Sequence, residues 1–480
     1  MKISKIIIVL LSVFSFQIFA QGGSVGTTDA RSSAMGNTSV VTSNGLYSLG
    51  NNPANLFIGS SNKKVELIVP IPLPAVSAKA GTNFLSKNEY DYFFGEEFVD
   101  EDGKKTGRYL TEVDKERFKD LFSDGGSLYG DVKYIMFGVA VTPNQKFGTI
   151  AFSISDVISA NSTFPNDIID LGMDGNSTGR VYNFNDAKMN AWWLRKYGFS
   201  YARNLNIFPF FKEFSFGLTM NIIQGFAYVG VDHVKTELTT GEDNTITGRG
   251  EFLAYSSFSN DFNVKYDFDS LLVKKDAKVS PFPQSSGGGF GFDFGFNATL
   301  NEVMSIGFAV TDIGKITWNK NVAEFSSNKP IFLDDLTSED QRDSLVDALT
   351  GKGSGKYISE ISTDLATAMF LGMSLQVDKM FGNFPGKMLV ALAFNKGFNN
   401  QPRNSTKPNF SLGVDWRLTK VFAVRTGFAL GGVENFGWGF GFGLDFGLIE
   451  MNLGTSDMHN VLAPGSAKRI TVAFDSRWRF

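Results

Sequence analysis

The sequence predicts an all-β protein: a transmembrane antiparallel β-barrel of about fourteen strands, with an N-terminal lumenal hatch and long extracellular loops carrying short helices. Three observations carry the prediction. A short apolar leader opens the chain, segments of alternating aromatic and small residues recur along it, and the last of them ends on Phe480, the final residue.

The leader comes first. Lys2 and Lys5 flank the start of an apolar run over residues 6–19, and Ala20 stands before the polar, glycine-rich stretch 21–30. A basic start, a short apolar core and a small residue at the boundary mark a secretory signal, so residues 1–20 are expected to be removed. The run is shorter than the ~20 apolar residues a spanning helix needs. Every later apolar run is broken by Gly, Asp, Asn or Lys, and the mean hydropathy of −0.06 is too polar for a helical membrane protein of 480 residues.

Composition narrows the rest. The 51 Gly and 48 Phe suit strands with one strongly apolar face and close backbone approach on the other. Absence of cysteine excludes disulfides, thiolate metal sites, cysteine nucleophiles and N-terminal lipidation. A net charge of −4 offers nucleic acid no attractive field. Histidine occurs only at His233 and His459, leaving little for histidine-based catalysis.

Only helices and closed sheets satisfy the backbone in lipid, and the strand pattern supplies the sheet. Phe436, Trp438, Phe440, Phe442, Leu444 and Phe446 share one parity, and Gly437, Gly439, Gly441, Gly443 and Asp445 share the other. A period of two puts all the aromatics on one face. Segments 290–300, 214–222 and 410–418 repeat the pattern, the last with Asp415 and Arg417 on the opposite face. In the terminal strand Ile470, Val472, Phe474, Trp478 and Phe480 alternate with Asp475, Arg477 and Arg479. Arg or Lys facing lipid near the midplane costs roughly 2–4 kcal/mol, whereas a lumen tolerates it, so the aromatic face is expected to meet lipid. A last strand ending in Phe also resembles the signal by which bacterial barrels are recognised for assembly; the barrel-assembly machinery is therefore an expected partner, through Phe480.

Strands are expected near residues 65–80, 128–142, 147–160, 188–202, 213–230, 289–299, 304–318, 366–378, 387–397, 409–418, 421–430, 435–446, 449–456 and 468–480. The count is even, as single-chain bacterial barrels require. Short connections near Pro143, Asn301 and Lys420 alternate with long ones at roughly 82–127, 161–187, 231–288 and 319–365. Two long loops are expected to carry helices, one capped by Thr111 with Asp114 three residues on, the other starting at Thr337 or Ser338. Segment 251–268 fits a hairpin arm of an outer loop rather than a membrane crossing.

Residues 29–56 alternate poorly and are too few for a domain. A barrel of this size has a lumen wide enough to need filling, so residues 21–62 are expected to form a hatch and 63–480 the barrel. Ala34, Met35, Gly36 and Asn37, followed by Asn52, Pro53, Ala54, Asn55 and Leu56, resemble the A-M-G … N-P-A-x-L arrangement of the long-chain fatty acid transporter family of outer membranes, the FadL/TodX type. The resemblance implies a fourteen-stranded barrel with an N-terminal hatch. The motif is also similar to that of type IX secretion barrels, the PorV/PorQ group, and of uncharacterised Bacteroidota barrels, which the run 65–76 resembles more. It covers about thirty residues, and no substrate-contacting residue carries over from it. Gly36, Gly45 and Gly50 are expected to sit in weakly held turns that absorb backbone change. Pro70, Pro72 and Pro74 share a parity expected to face the lumen; each removes a ladder donor, so the first strand should be kinked there, as a bulged strand start or as a lateral opening.

Chemistry elsewhere is sparse. His459 beside Asp457 and His233 beside Asp232 lack a nucleophile motif, so no catalytic residue is expected. The glycine runs near Gly287 and Gly439 lack the Lys-Ser/Thr and helix of a phosphate loop. Asp334, Asp335, Glu339 and Asp340 lack the spacing of a calcium loop, and no metal or cofactor is expected. Trp192 and Trp193 fit an interfacial girdle. Together these readings point to the outer membrane, with lipid and lipopolysaccharide as surroundings, no nucleic-acid partner, and passive uptake of a hydrophobic or amphipathic small molecule past a hatch at Met35, Gly36, Asn37, Asn52, Pro53 and Ala54. The alternatives are a non-transporting barrel that docks protein partners and a structural barrel of unknown ligand.

Overall fold

A computed structural model describes residues 29–57, 64–95, 98–99, 105–106, 110–123, 125–175, 177–185, 187–205, 207–243, 245–268, 272–273, 280–334, 340–341 and 354–480. The leader lies outside them, as do Asp335, Glu339 and all of the second expected loop helix except Asp340 and Gln341.

Fourteen antiparallel strands close one barrel. β1 comes in two pieces, Val65–Ile68 and Ala75–Thr82. It is followed by β2 (Gly126–Asn144), β3 (Gly148–Phe164), β4 (Lys188–Asn204), β5 (Glu213–Thr240), β6 (Gly287–Thr299) and β7 (Met304–Trp318). Then come β8 (Ala368–Gln376), β9 (Lys387–Gly397), β10 (Asn409–Arg417), β11 (Phe422–Gly431), β12 (Phe436–Asp445), β13 (Ile449–Thr455) and β14 (Arg469–Arg479). Each strand pairs with the next, and β14 closes on β1 with Leu67 opposite Trp478 and Val76 opposite Phe474. Among the described residues no helix is long and apolar enough to cross a membrane; the barrel wall instead carries exposed large apolar side chains such as Phe199, Phe290, Phe410 and Phe442.

The period of two decides the faces. Gly437, Gly439, Gly441 and Gly443 of β12 are buried inward, while Phe442 is 40% exposed outward. In β14 Arg477 is buried inward at 1% and Ile470 stands outward at 69%. Short turns at 145–147, 300–303, 418–421 and 446–448 lie at the end where residues 64 and 480 meet, and the long excursions leave from the other end.

β5 is longer than its expected span, for a local reason. An extra residue at Phe226 bulges it between Leu194–Gly225 and Trp193–Ala227 pairs. Beyond that point it stays paired with β4 as far as Gly230 but exchanges β6 for Ile246–Phe258 on its other side, and that segment in turn pairs with Val322–Leu333. Segment 251–268 is thus part of an arm outside the membrane, and the strand count holds. In the connection between β1 and β2, Thr111 and Asp114 form a reciprocal cap on helix Glu112–Asp120, and Phe118 of that helix packs with Phe122 just beyond it against Phe84 and Phe93.

Two expectations need correction. Ile68 and Ala75 are both inward, although seven residues apart, so the intervening segment reverses parity and bows outward. Pro70 and Pro72 are exposed, Ile71 is 70% exposed, and the Ile71 carbonyl accepts from the Trp478 indole on the outer face. Ser476, also outward, accepts from the Leu73 amide and donates to its carbonyl. The prolines therefore do not line the lumen; they lie in a flap against the lipid-facing wall, where a residue without an N–H leaves no donor to satisfy. Trp192 and Trp193 do not make a simple girdle either. Trp192 is buried inward with Tyr228, Ile316 and Trp318, and Trp193 stacks outward under Phe262.

Candidate functional site

Residues 29–57 lie inside the barrel and run around its inner wall. Helix Ala30–Ala34 packs on β12 and β13, helix Ser39–Thr42 on β7 to β9, the turn Gly45–Ser48 on β1 and β2, and the turn Pro53–Leu56 on β4 to β6. The inward glycines explain how a chain fits so closely. A Cβ on Gly413 would stand 2.6 Å from the Met35 carbonyl oxygen, and one on Gly439 2.5 Å from that of Ser33. Gly217 meets Pro53 and Ala54 in the same way, Gly295 meets Asn52, and Gly307 meets Val40. The sequence alternates Phe with Gly because one face needs bulk against lipid and the other must admit a second backbone.

The N-terminal motif residues are the fasteners of this segment. Gly36 and Asn37 both have positive φ, 63° and 66°, which turns the chain between the two helices. A side chain at Gly36 would also run into the Phe428 carbonyl at 2.7 Å. Met35 is fully buried. The Asn52 side chain accepts from the Ala54 amide at 3.1 Å and donates to Val40 and Phe296 carbonyls at 2.9 and 3.1 Å, tying one turn to another and to β6.

Charges finish the attachment. The Ala30 amide donates to Asp475 at 2.8 Å, and Arg31 meets Asp415 at 2.9 Å. Arg477 donates to the Asn44 carbonyl at 2.8 Å and pairs with Glu450 at 2.7 Å and Glu66 at 3.1 Å, with the Tyr47 ring 4.4 Å away. Glu66 also accepts from the Leu46 amide. The turns at Gly36 and Gly45 are therefore firmly held, contrary to the expectation of loose ones. Gly50 differs: it is exposed, with only Lys133 Nζ near, and Lys133 itself reaches the Leu49 carbonyl at 3.5 Å.

Two cavities occupy the space above. A vestibule of about 1070 Å³ opens among the loops, lined by Lys79, Asp131, Asn161, Lys188, Arg403 and Lys407, among others. A chamber of about 60 Å³ lies between it and the lumenal segment, lined by Leu49, Gly50, Asn51, Lys133, Lys196, Asp293 and Asp312. Ile68 and Ile135, which border the interruption of β1, also line this chamber.

One charged pair stands on the wrong side of the wall. Asp156 and Arg195 sit at outward positions of β3 and β4 and form a two-pronged pair at 2.7 and 2.8 Å. The β5 bulge places Phe226 over the guanidinium and the loop after the arm places Phe282 there, so the charges are paired and shielded where lipid would penalise them. His233 bonds Asp232 at 2.9 Å on the arm, away from the lumen, and His459 packs on Phe436. Among the described residues no cluster of His, Asp or Glu has the form of a metal site.

Sequence reasoning placed Asp415, Asp475 and Arg477 on the inner face. It passed over Arg31, Glu66, Asp131, Lys133 and Arg403. A charged residue at an inward parity was the available signal for Glu66 and Asp131; Arg403, in a loop, had none.

No curated protein matches this chain. Among solved structures it is similar to a Pseudomonas aeruginosa FadL homologue, at 12% identity with a TM-score of 0.44, over 96% of this chain and 99% of that one. It is similar to the P. putida toluene transporter TodX at 12% identity, TM-score 0.42, over 95% and 99% of the two chains. The CymD monoaromatic hydrocarbon channel is more distant, at 11% identity and a TM-score of 0.34 over 95% and 98%. Residues 61–456 match a family described as a family of unknown function, DUF5723.

Proposed function

The chain belongs to the DUF5723 family, and we propose that it is an outer-membrane barrel for passive uptake of small hydrophobic or amphipathic molecules, with residues 29–57 as its hatch. The observation that carries the reading is the stepped lumen: an open vestibule of about 1070 Å³ above a chamber of about 60 Å³. The chamber ends on the exposed Gly50 turn and abuts the wall where β1 is interrupted. A molecule entering from the loops meets polar groups first and the apolar Leu49, Ile68 and Ile135 last, an order that suits an amphipath. Two exits fit: displacement of the Gly50 turn into the periplasm, or passage into the bilayer beside the flap at Pro70, Pro72 and Pro74.

Uptake of a fluorescent single-chain amphiphile by proteoliposomes tests this. Flux above that of protein-free liposomes is expected for the full chain, and more for a chain lacking residues 21–57. Equal flux in all three removes the reading. The arm built from Ile246–Phe258 and Val322–Leu333 favours a second reading, docking of a protein partner, for which a stoichiometric co-purifying protein would be the sign.

A further inference from the structure

The loop between β9 and β10, residues 398–408, does not project outward with the others. It folds across the lumen, and its Arg403 Nε meets Asp131 Oδ1 on β2 at 3.2 Å, while the Asn400 carbonyl accepts from Asn161 on β3 at 3.4 Å. β2 and β3 stand seven strands from β9 and β10 in a ring of fourteen, so the contact joins opposite walls. The loop is braced to make it. Asn399 donates to the Leu365 carbonyl at 2.7 Å, Asn404 to that of Thr367 at 2.8 Å, and Gly397 to that of Ser405 at 2.8 Å. Both partners of the bridge are mostly buried, Arg403 at 12% and Asp131 at 7% side-chain exposure. Arg403 lines the vestibule on one side and the chamber on the other.

The charges along this route are uneven. Its carboxylates are already engaged: Glu434 by Lys79, Asp167 by Arg180, and Asp312 by Lys196. Asp293 accepts from Asn221 and from the Asp312 amide. Lys188 and Lys407 in the vestibule have no ion pair among the described residues, whereas Lys133 in the chamber donates to the Leu49 carbonyl and lies in the field of Asp29 and Asp312. The excess positive charge therefore sits at the mouth of the passage, where it concentrates ions of the other sign.

We propose that loop 398–408 is an eyelet, that the Arg403–Asp131 bridge is its closed latch, and that this latch, with Lys188 and Lys407 above it, admits to the inner chamber solutes bearing a carboxylate, phosphate or sulfate group. This rests on the uptake reading and narrows its substrate. An anionic group reaching Arg403 competes with Asp131 for the guanidinium and so opens the passage, with Lys133 as the next cation beyond it.

The chain contains no cysteine, so single thiols report access without background. Ser155→Cys places one in the chamber, and Asn190→Cys places one in the vestibule. The probes are 2-sulfonatoethyl and 2-(trimethylammonio)ethyl methanethiosulfonate, applied from the loop side to intact cells carrying the full chain. The sulfonate is expected to label position 155 about tenfold faster than the ammonium, a ratio on the scale of one partly buried charge contact. Arg403→Gln abolishes that preference. Asp131→Asn speeds sulfonate labelling at 155 by about tenfold, while labelling at 190, open to solvent, changes within about twofold. If Asp131→Asn prevents folding, Lys407→Gln at the exposed rim still lowers the preference at 155. Equal rates for the two reagents, or rates at 155 indifferent to Arg403, overturn the proposal. Labelling needs no passage across the membrane, so its outcome is separate from failure of uptake.

Discussion

The Arg31 guanidinium of the lumenal segment and the Arg425 guanidinium of β11 share one oxygen of Asp415, at 2.9 and 3.1 Å. All three side chains are under 10% exposed. One carboxylate thus offsets two buried cations and couples the segment to the wall.

Asp415→Ala leaves both guanidiniums buried without that carboxylate, a change that typically costs about 3–5 kcal/mol. Arg31→Ala costs less, because Arg425 still pairs with Asp415. Urea unfolding of the refolded barrel should rank the two in that order. Protease should release residues 29–57 from Asp415→Ala first. The opposite ranking would mean that the shared carboxylate does not hold the segment.

Gly36 and Gly447 both have positive φ, 63° and 83°, but only Gly36 faces another backbone at close range. Each change to Ala carries a left-handed penalty of about 1–2 kcal/mol. Gly36→Ala adds the clash with the Phe428 carbonyl, whereas nothing lies within 4 Å of a Cβ on Gly447. Thermal scans should show the larger drop for Gly36→Ala; equal drops would show that the close contact has no energetic weight.

The flap between the two pieces of β1 is predicted to lie in lipid. A nitroxide at Ile71 should be relaxed by oxygen, which partitions into the bilayer, and not by a water-soluble nickel chelate. Ser476→Ala, which removes two hydrogen bonds to Leu73, should speed exchange of the Leu73 amide and cost on the order of 1 kcal/mol. Relaxation by the chelate alone would return the prolines to the lumen.

His459, in the outer helix Met458–Leu462, supplies a pH dependence. Burial lowers its imidazole below the ordinary 6.5 and Arg469 reinforces the shift, against Asp457 and Glu434. The unfolded segment therefore takes up a proton first, and the helix loses stability as pH falls below about 6.5. Exchange of the Ala463 amide, which donates to the His459 carbonyl at 2.9 Å, should accelerate over that range, and His459→Gln should flatten the profile. A flat profile in the unaltered chain would refute the assignment.

Much of the wall was legible in advance because strand parity is a local property. The phenylalanines of β12 and the arginines of β14 declare their faces within ten residues. The same locality explains the misreading at Pro70, Pro72 and Pro74. Parity was carried through the prolines, but a chain lacking donors leaves the ladder, and seven residues separate two inward positions. The looseness expected at Gly36 failed for a related reason: a positive φ was read as freedom, while the contact with Phe428 belongs to a strand nearly four hundred positions away.

The sequence alone determined that alternating segments form a closed sheet with Phe outside and Gly and charge inside. Covalent geometry repeats side chains with a period of two, and lipid tolerates only one of the two faces. Tertiary structure alone decided which carboxylate receives Arg31, that Arg403 crosses the lumen to Asp131, and that the interrupted first strand bows outward. Those contacts exist only once opposite walls are brought together by closure, and no local pattern along the chain encodes the distance between them.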